Sequence, residues 1–147
     1  MPFGAASQSQ FAIPLLTAIF VPCFVDQFFP QTAVRMVRLL RRLGCEVVYS
    51  GQQTCCGQPA CNAGFVEEGA QVGQKWLRDA QALGAGVEWV VPSASCAHFL
   101  SAELGRWLPD GERQALTKMK IWEFSQFLVE KIGIEALKSV LTKRLDV

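Results

Sequence analysis

The stretch Thr17-Ala-Ile-Phe-Val-Pro-Cys23 is a short apolar run that ends at a proline and a cysteine. A run of this length, bounded by a turn residue, predicts a buried strand near residues 16–21. Two similar runs follow, Cys45-Glu-Val-Val-Tyr49 and Val87-Glu-Trp-Val-Val91, and Pro92 stops the second of them. The sequence therefore predicts three short buried strands, and the segments between them decide how the strands pair.

Helical spacing separates these strands. The segment from Thr32 to Leu43 places apolar and arginine side chains on opposite faces, and Gly44 is a plausible C-cap. A second helix is predicted from an N-cap at Asn62 to about Leu83, with inward positions at Phe65, Gly69, Val72, Trp76, Ala80 and Leu83. The alternation predicts right-handed βαβ units. We therefore expect an α/β fold with three layers, a Rossmann-like parallel sheet of three to four strands with helices on both faces.

Domain organisation follows from the same pattern. Residues 1–15 are expected to form a loose tail and residues 16–147 one domain, whose part from 110 to 147 is helical. Two apolar stripes support that helical prediction, at Ile121, Phe124, Leu128 and Ile132 and at Ile134, Leu137, Leu141 and Leu145.

Composition excludes several classes of protein. The 147 residues carry 14 basic and 13 acidic side chains, a net charge of +1, which excludes the basic footprint of a nucleic-acid-binding protein. The apolar stretch Phe11–Val25 has no Lys or Arg before it, is interrupted by Pro14 and Pro22, and is too short to span a bilayer. We expect a cytoplasmic protein without direct membrane insertion, in which thiols stay reduced.

The six cysteines are the main chemical signal. Cys23 follows the first predicted strand, Cys55 and Cys56 follow the second, and Cys96 follows the third. Parallel strands bring the loops at their carboxyl ends to one edge, which is where open α/β sheets bind ligands. We therefore expect these four thiols to converge. Cys45 starts a strand at the opposite end and is expected to be a buried structural residue, while Cys61 is left open between the two roles.

Four converging thiols are compatible with several chemistries. Thiolates are soft ligands that suit zinc or an iron–sulfur cluster. The adjacent Cys55 and Cys56 are awkward for one tetrahedral ion because their side chains diverge, whereas a cluster offers several irons. Thiol redox chemistry and plain buried cysteines also stay open. A cysteine–histidine nucleophile pair is disfavoured because His98 is the single histidine and is expected on a helix surface.

At this point the chain resembles a known family. Val21-Pro-Cys23-Phe-Val-Asp26, Cys55-Cys-Gly-Gln-Pro59 and Pro92-Ser-Ala-Ser-Cys96 look like the cysteine-rich CCG domain. The match is nearest to the lactate-utilisation iron–sulfur branch and is similar, more distantly, to the B subunit of heterodisulfide reductase and the iron–sulfur subunit of glycolate oxidase. The resemblance implies a subunit that passes electrons through a 4Fe–4S type cluster during oxidation of a 2-hydroxy acid such as L-lactate to the 2-oxo acid.

Carried over to this sequence, the resemblance implies Cys23, Cys55, Cys56 and Cys96 as cluster ligands. Backbone at Gly57 is expected to approach the cluster, and Ser93 or Ser95 to donate a hydrogen bond to a sulfur. Ser93 stands where the heterodisulfide reductase type has a further cysteine, so one ligand fewer is expected. We assign no catalytic residue to this chain.

The resemblance also implies partners. Such proteins carry two tandem cysteine-rich domains and this chain carries one, so we expect a truncated or split protein that works with other subunits of its complex and with a second half. The sequence is also compatible with two alternatives, a domain structured by zinc and a cofactor-free module whose apolar helices at 110–145 dock a partner.

Overall fold

The computed structural model describes residues 14–141. The chain alternates strands and helices from its first strand onward, in agreement with the predicted class. The strands are β1 (Leu15–Ile19), β2 (Cys45–Tyr49), β3 (Glu88–Val91) and β4 (Lys120–Glu123). The helices are α1 (Cys23–Phe28), α2 (Pro30–Arg42), α3 (Gln58–Asn62), α4 (Val66–Gln81), α5 (Ala94–His98), α6 (Asp110–Thr117), α7 (Phe124–Gln126) and α8 (Ile134–Leu141). Short π-helical turns at Phe99–Glu103 and Phe127–Ile132 and a 3-10 turn at Leu104–Trp107 extend α5 and α7.

The four strands form one parallel sheet in the order β2-β1-β3-β4. β1 pairs with β2 from Leu15 opposite Cys45 to Ile19 opposite Tyr49, and with β3 on its other side. The order reverses direction at β1, because the chain first steps to β2 and then crosses back over β1 to β3. Such a switch point opens a crevice at the carboxyl ends of the strands.

Helices cover both faces of this sheet, as predicted, because successive residues of a strand point to opposite sides. On one face Trp89 and Val91 of β3 pack with α4, α5 and α6, and the fully buried Trp76 lies edge-on to Phe20 and Trp89. On the other face Val90 packs with α1, α2 and the turn Phe127–Ile132. Two apolar layers therefore enclose the sheet, which leaves the loops at its carboxyl edge for chemistry.

The amino end of β3 buries a carboxylate. Glu88 is 1% exposed, and its oxygens accept hydrogen bonds from Lys120 at 3.2 Å and from the indole of Trp122 at 2.6 Å. Lys131 lies 2.9 Å away. A buried carboxylate needs such partners, and these three tie β3 to β4 and to the turn that follows α7.

Several predicted boundaries differ from the structure. Segment 120–123 is a strand, so the stripe through Ile121 is not helical. Asn62 ends α3 and does not cap α4, which begins at Val66 after a turn at Gly64. Phe65 and Leu83 are exposed, not inward. Cys96, which follows the third strand as predicted, lies within α5. The tail at 1–13 and Leu145 lie outside the described residues.

Within residues 14–141, no helix combines the length and the apolar character that crossing a membrane requires.

Candidate metal centre

The four predicted thiols come from three connections at the carboxyl edge of the sheet. Cys23 is the first residue of α1 after β1, Cys55 and Cys56 lie between β2 and α3, and Cys96 is the third residue of α5 after β3. The parallel order of the strands brings these connections together although 73 positions separate Cys23 from Cys96 in the chain. The convergence predicted from the sequence is therefore present.

The thiols lie as two pairs. The sulfur atoms of Cys23 and Cys55 are 3.6 Å apart, and those of Cys56 and Cys96 are also 3.6 Å apart. The first pair faces solvent through the exposed Cys23, whereas Cys56 is 1% exposed and belongs to the apolar layer around Trp76. One pair therefore sits at the mouth of the site and the other at its floor.

The pKa values of the two buried thiols, Cys56 and Cys96, are shifted in opposite directions. The hydrogen bond that Cys56 donates to Cys96, together with burial, raises the pKa of the Cys56 thiol. The same bond lowers the pKa of Cys96 to about 6; burial opposes this shift, and hydrogen bonds from Ser93 and Ser95 support it. These hydrogen bonds favour the thiolate form of Cys96, the form in which cysteine binds metals. At the mouth, burial and then the contact with Cys55 raise the pKa of Cys23.

Backbone and hydroxyl donors surround these sulfurs. The amide of Gly57 donates to Cys55 Sγ at 3.5 Å, and the hydroxyls of Ser93 and Ser95 are 3.3 Å apart beside Cys96. Cys96 lies in the first turn of α5, the positive end of that helix. The site therefore places several partial positive charges around the cysteine sulfurs.

Gly57 has a second role that its sequence position did not reveal. Its φ of 98° is left-handed, and a Cβ atom there would overlap the carbonyl oxygen of Gly69 in α4. The glycine is required both by its own backbone conformation and by contact with a helix. The loop that carries Cys55 and Cys56 is thereby seated directly on the backbone of α4.

Three other candidates lie outside this group. Cys45 is buried at the amino end of β2, as predicted. Cys61, whose role the sequence left open, is half-buried in α3, and its thiol points to the carbonyl of Val66 at 3.9 Å. His98 is exposed on α5, 3.4 Å from Glu103. None of these three takes part in the two thiol pairs.

Comparison with known proteins agrees with the site. The family model of the CCG cysteine-rich domain matches residues 17–101, which include the four paired cysteines. The chain belongs to the CCG family of cysteine-rich domains. No solved structure matches the chain.

Two curated relatives of this CCG domain are both named for lactate utilization. The chain is 38% identical over 135 residues to lactate utilization protein A 1 of Bacillus mycoides, covering 88% of this chain and 54% of that protein. It is 37% identical over 131 residues to lactate utilization protein A of Geobacillus kaustophilus, covering 86% and 53%. The chain thus spans about half the length of the curated relatives it matches.

The donor set of the CCG domain can be tested against the metals considered above. Among residues 14–141 no three side chains of His, Cys, Asp or Glu converge as the ligand set of a single metal ion. A structural zinc ion gathers four ligands around one centre, whereas an iron–sulfur cluster offers separate irons to separate thiolates. Two thiol pairs, with N–H and O–H donors beside them, fit a cluster of several irons.

One residue at this CCG site was missed by sequence reasoning. Gln53, in the loop before Cys55, is half-buried, and its carboxamide bonds to backbone at the end of β1. A lone glutamine in a turn-rich loop carries no signal by itself. Only the pairing of β1 with β2, which brings this loop beside β1, reveals its contacts.

Proposed function

We propose that this chain is an iron–sulfur electron-transfer subunit of an oxidoreductase complex that oxidises L-lactate, or another 2-hydroxy acid, to the 2-oxo acid. The observation that carries the proposal is the convergence of four thiols as two pairs at the carboxyl edge of the sheet. The similarity to proteins named for lactate utilization supports the substrate class. In this proposal the chain works as one part of a larger complex, since it spans about half the length of those relatives.

In this proposal Cys23, Cys55, Cys56 and Cys96 hold a cluster of the 4Fe–4S type. When bound, the cluster supplies reversible one-electron transfer. The protein's own contribution is to hold the thiolates and to direct hydrogen bonds at sulfur from Gly57, Ser93 and Ser95. Hydrogen bonds to sulfur and solvent exposure tune the potential of such a group.

The site is poorly suited to bind the hydroxy acid itself. A cavity of about 230 Å³ opens beside Cys23 and Cys55, and Asp26 is the one charged side chain among the described residues that line it. The described lining therefore offers no cationic side chain to pair with the carboxylate of a hydroxy acid. We therefore assign substrate oxidation to a partner subunit and electron transfer to this chain.

The proposal also includes the partners of the chain and its cellular compartment. The relatives contain about as much chain again as they share with this protein, and we assign a second cysteine-rich half to that remainder. The working unit then comprises both halves and the other subunits of the complex. A reducing cytoplasm would keep the four paired cysteines available to bind the cluster.

A second candidate function, a cofactor-free module that docks a partner, is favoured by one feature. The rings of Phe24, Phe28 and Phe29 form an exposed cluster on α1 and at its junction with α2, and Phe28 is 68% exposed. Exposed aromatic clusters often mark interaction surfaces. A module of this kind would keep its six thiols free.

Metal analysis separates the two candidates. The chain would be purified without oxygen and assayed for iron, inorganic sulfide, zinc and free thiols, and its visible spectrum recorded. Iron and sulfide in equal amounts, with broad absorption near 400 nm, would support the cluster. A colourless protein with all thiols titratable would support the docking module, and stoichiometric zinc would contradict both.

A further inference from the structure

We propose that Gln53 is a positioning residue that sets the spacing of the mouth pair, Cys23 and Cys55. Its side chain reaches from the loop after β2 to the end of β1. The carboxamide oxygen accepts the backbone N–H of Val21 at 2.9 Å, and the carboxamide nitrogen donates to the carbonyl of Ile19 at 2.5 Å. Cys23 lies two residues beyond Val21, and Cys55 two residues beyond Gln53.

The two hydrogen bonds of Gln53 take the place of backbone bonds that a longer β2 would make to β1. In a parallel ladder one residue of the neighbouring strand donates to the carbonyl of residue i−1 and accepts from the amide of residue i+1. Gln53 makes this pair of bonds around Phe20 with its side chain, at a level where β2 has already ended at Tyr49. On the opposite side the amide of Phe20 still bonds to Val90 of β3 at 3.0 Å.

The backbone groups concerned are costly to leave unpaired. Ile19 is buried and Val21 lies at the edge of the same apolar layer, where an amide or carbonyl without a partner loses its hydration. A carboxamide, which is planar and carries one acceptor beside its donors, fits both groups at once. The two hydrogen bonds of Gln53, which together form a clamp between the loop and β1, are therefore expected to persist in the folded chain.

The mouth pair depends on this clamp more than the floor pair does. Cys56 is held by the apolar layer around Trp76, whereas Cys23 is exposed and lies outside both apolar layers of the described residues. Two other contacts hold the loop to α4: a hydrogen bond of 2.6 Å from Lys75 to the carbonyl of Gln52, and the close approach of Gly57 to Gly69. Among these contacts, those of Gln53 join the loop to the strand that leads to Cys23.

Thiol bridging in the metal-free chain tests the spacing directly. The reduced, iron-free protein would be treated with dibromobimane, which alkylates two neighbouring thiols, and the bridged peptides mapped by mass spectrometry. Gln53→Met keeps the length of the side chain and removes both bonds, Gln53→Glu keeps the acceptor, and Gln52→Met is the matched control at the exposed neighbour.

We expect Gln53→Met to lower the yield of the Cys23–Cys55 bridge about tenfold, as the loss of one to two hydrogen bonds implies. The Cys56–Cys96 bridge should keep its yield in the same sample, Gln53→Glu should give an intermediate yield, and Gln52→Met should match the unaltered chain. Equal Cys23–Cys55 bridging in Gln53→Met would overturn the proposal. So would loss of both bridges together with a fall in the unfolding temperature, which would indicate a general structural role.

The inference deepens the proposed function and rests on it only for the identity of the bound group. Iron and sulfide retained by the anaerobic chain should fall in Gln53→Met and not in Gln52→Met. If the unaltered chain binds no iron but its bridging responds to Gln53, the cluster proposal fails and the spacing role stands. If iron binds but neither bridging nor iron content responds to Gln53, the spacing role fails alone.

Discussion

The backbone of Gly57 lies against that of Gly69, so that a Cβ atom on Gly57 would overlap the Gly69 carbonyl oxygen and lie 3.0 Å from its carbon. The contact is mutual, because a Cβ atom on Gly69 would lie 2.8 Å from the Gly57 oxygen and would overlap the sulfur of Cys61. Two glycines twelve positions apart thus let a loop and a helix touch through their main chains. That contact fixes the loop, and so determines where Cys55 and Cys56 lie.

Alanine at Gly57 should therefore be far more disruptive than alanine at a glycine that has only an unusual backbone angle. Gly64 has a similar φ, 91°, but a Cβ atom there would meet nothing within 4 Å, and Gly51 has neither constraint. In urea unfolding we expect Gly57→Ala to lower the free energy of unfolding by about 3 kcal/mol or more, Gly64→Ala by about 1–2 kcal/mol, and Gly51→Ala hardly at all. Equal losses at Gly57 and Gly64 would contradict the close contact.

The sequence was sufficient for the architecture because buried parallel strands are nearly continuous apolar runs. β2 was predicted with its observed ends, and β1 and β3 within two residues. β4 was missed because Lys120-Ile-Trp-Glu123 holds two apolar residues, and Ile121 fits a helical stripe with Phe124 equally well. A four-residue strand at the edge of a sheet is defined by its pairing with the neighbouring strand. That strand is distant in sequence, so the local residues do not predict the pairing.

Some features of the candidate site could likewise be predicted from the sequence, and others could not. The convergence of the four cysteines follows from topology alone, since each follows a strand of one parallel sheet. Their arrangement as two pairs, and the contacts of Gly57 and Gln53, depend on packing between segments distant in sequence. Gly57 was expected to approach the bound group, and its backbone also meets Gly69, which no local pattern indicates.

Single cysteine substitutions should separate ligands from structural thiols. If the four paired thiols hold the cluster, Cys55→Ala and Cys56→Ala should each abolish bound iron in anaerobically purified protein. Cys45→Ala is the matched control, because Cys45 is buried at the opposite end of the sheet and touches no other thiol among the described contacts. Iron and sulfide per chain provide the measurement, and iron retained at the unaltered level in Cys55→Ala would sink the assignment.

Glu88 should make the stability of the domain depend on pH. Burial raises the pKa of this carboxyl, but hydrogen bonds from Lys131, Trp122 and Lys120 outweigh it and hold the pKa below its usual value. A group whose pKa is lowered by folding adds stability that is present above the pKa of the unfolded chain, about 4.3. That contribution is lost as the pH falls through the lower pKa of the folded chain.

Glu88→Gln isolates this contribution. The neutral amide leaves two partly exposed lysines without their carboxylate partner, so we expect the free energy of unfolding to fall by about 1–2 kcal/mol at pH 7. The difference between the two proteins should stay constant down to about pH 5 and shrink at lower pH, as the carboxyl of the unaltered chain becomes protonated. Urea unfolding across the range checks it, and a difference that does not change with pH would show that Glu88 acts by shape and not by charge.

The exposed aromatic cluster on α1 should matter for association and not for folding. Phe28 is 68% exposed and its ring lies 5.0 Å from that of Phe24, whereas Phe127 is fully buried in the apolar layer around Val90. Phe28→Ser should change the free energy of unfolding by less than about 0.5 kcal/mol, while Phe127→Ala should cost about 3–5 kcal/mol.

Removing this apolar surface should also weaken any self-association of the isolated chain, because exposed aromatic rings are buried when molecules meet. Sedimentation velocity over a range of concentrations measures the effect, with Phe28→Ser compared against Gln52→Ser, a polar exposed site outside the cluster. A lower association constant in Phe28→Ser alone, at unchanged stability, is the expected result. A large loss of stability in Phe28→Ser would mean that the ring is packed in solution, and the cluster would then belong to the fold of the domain and not to its surface.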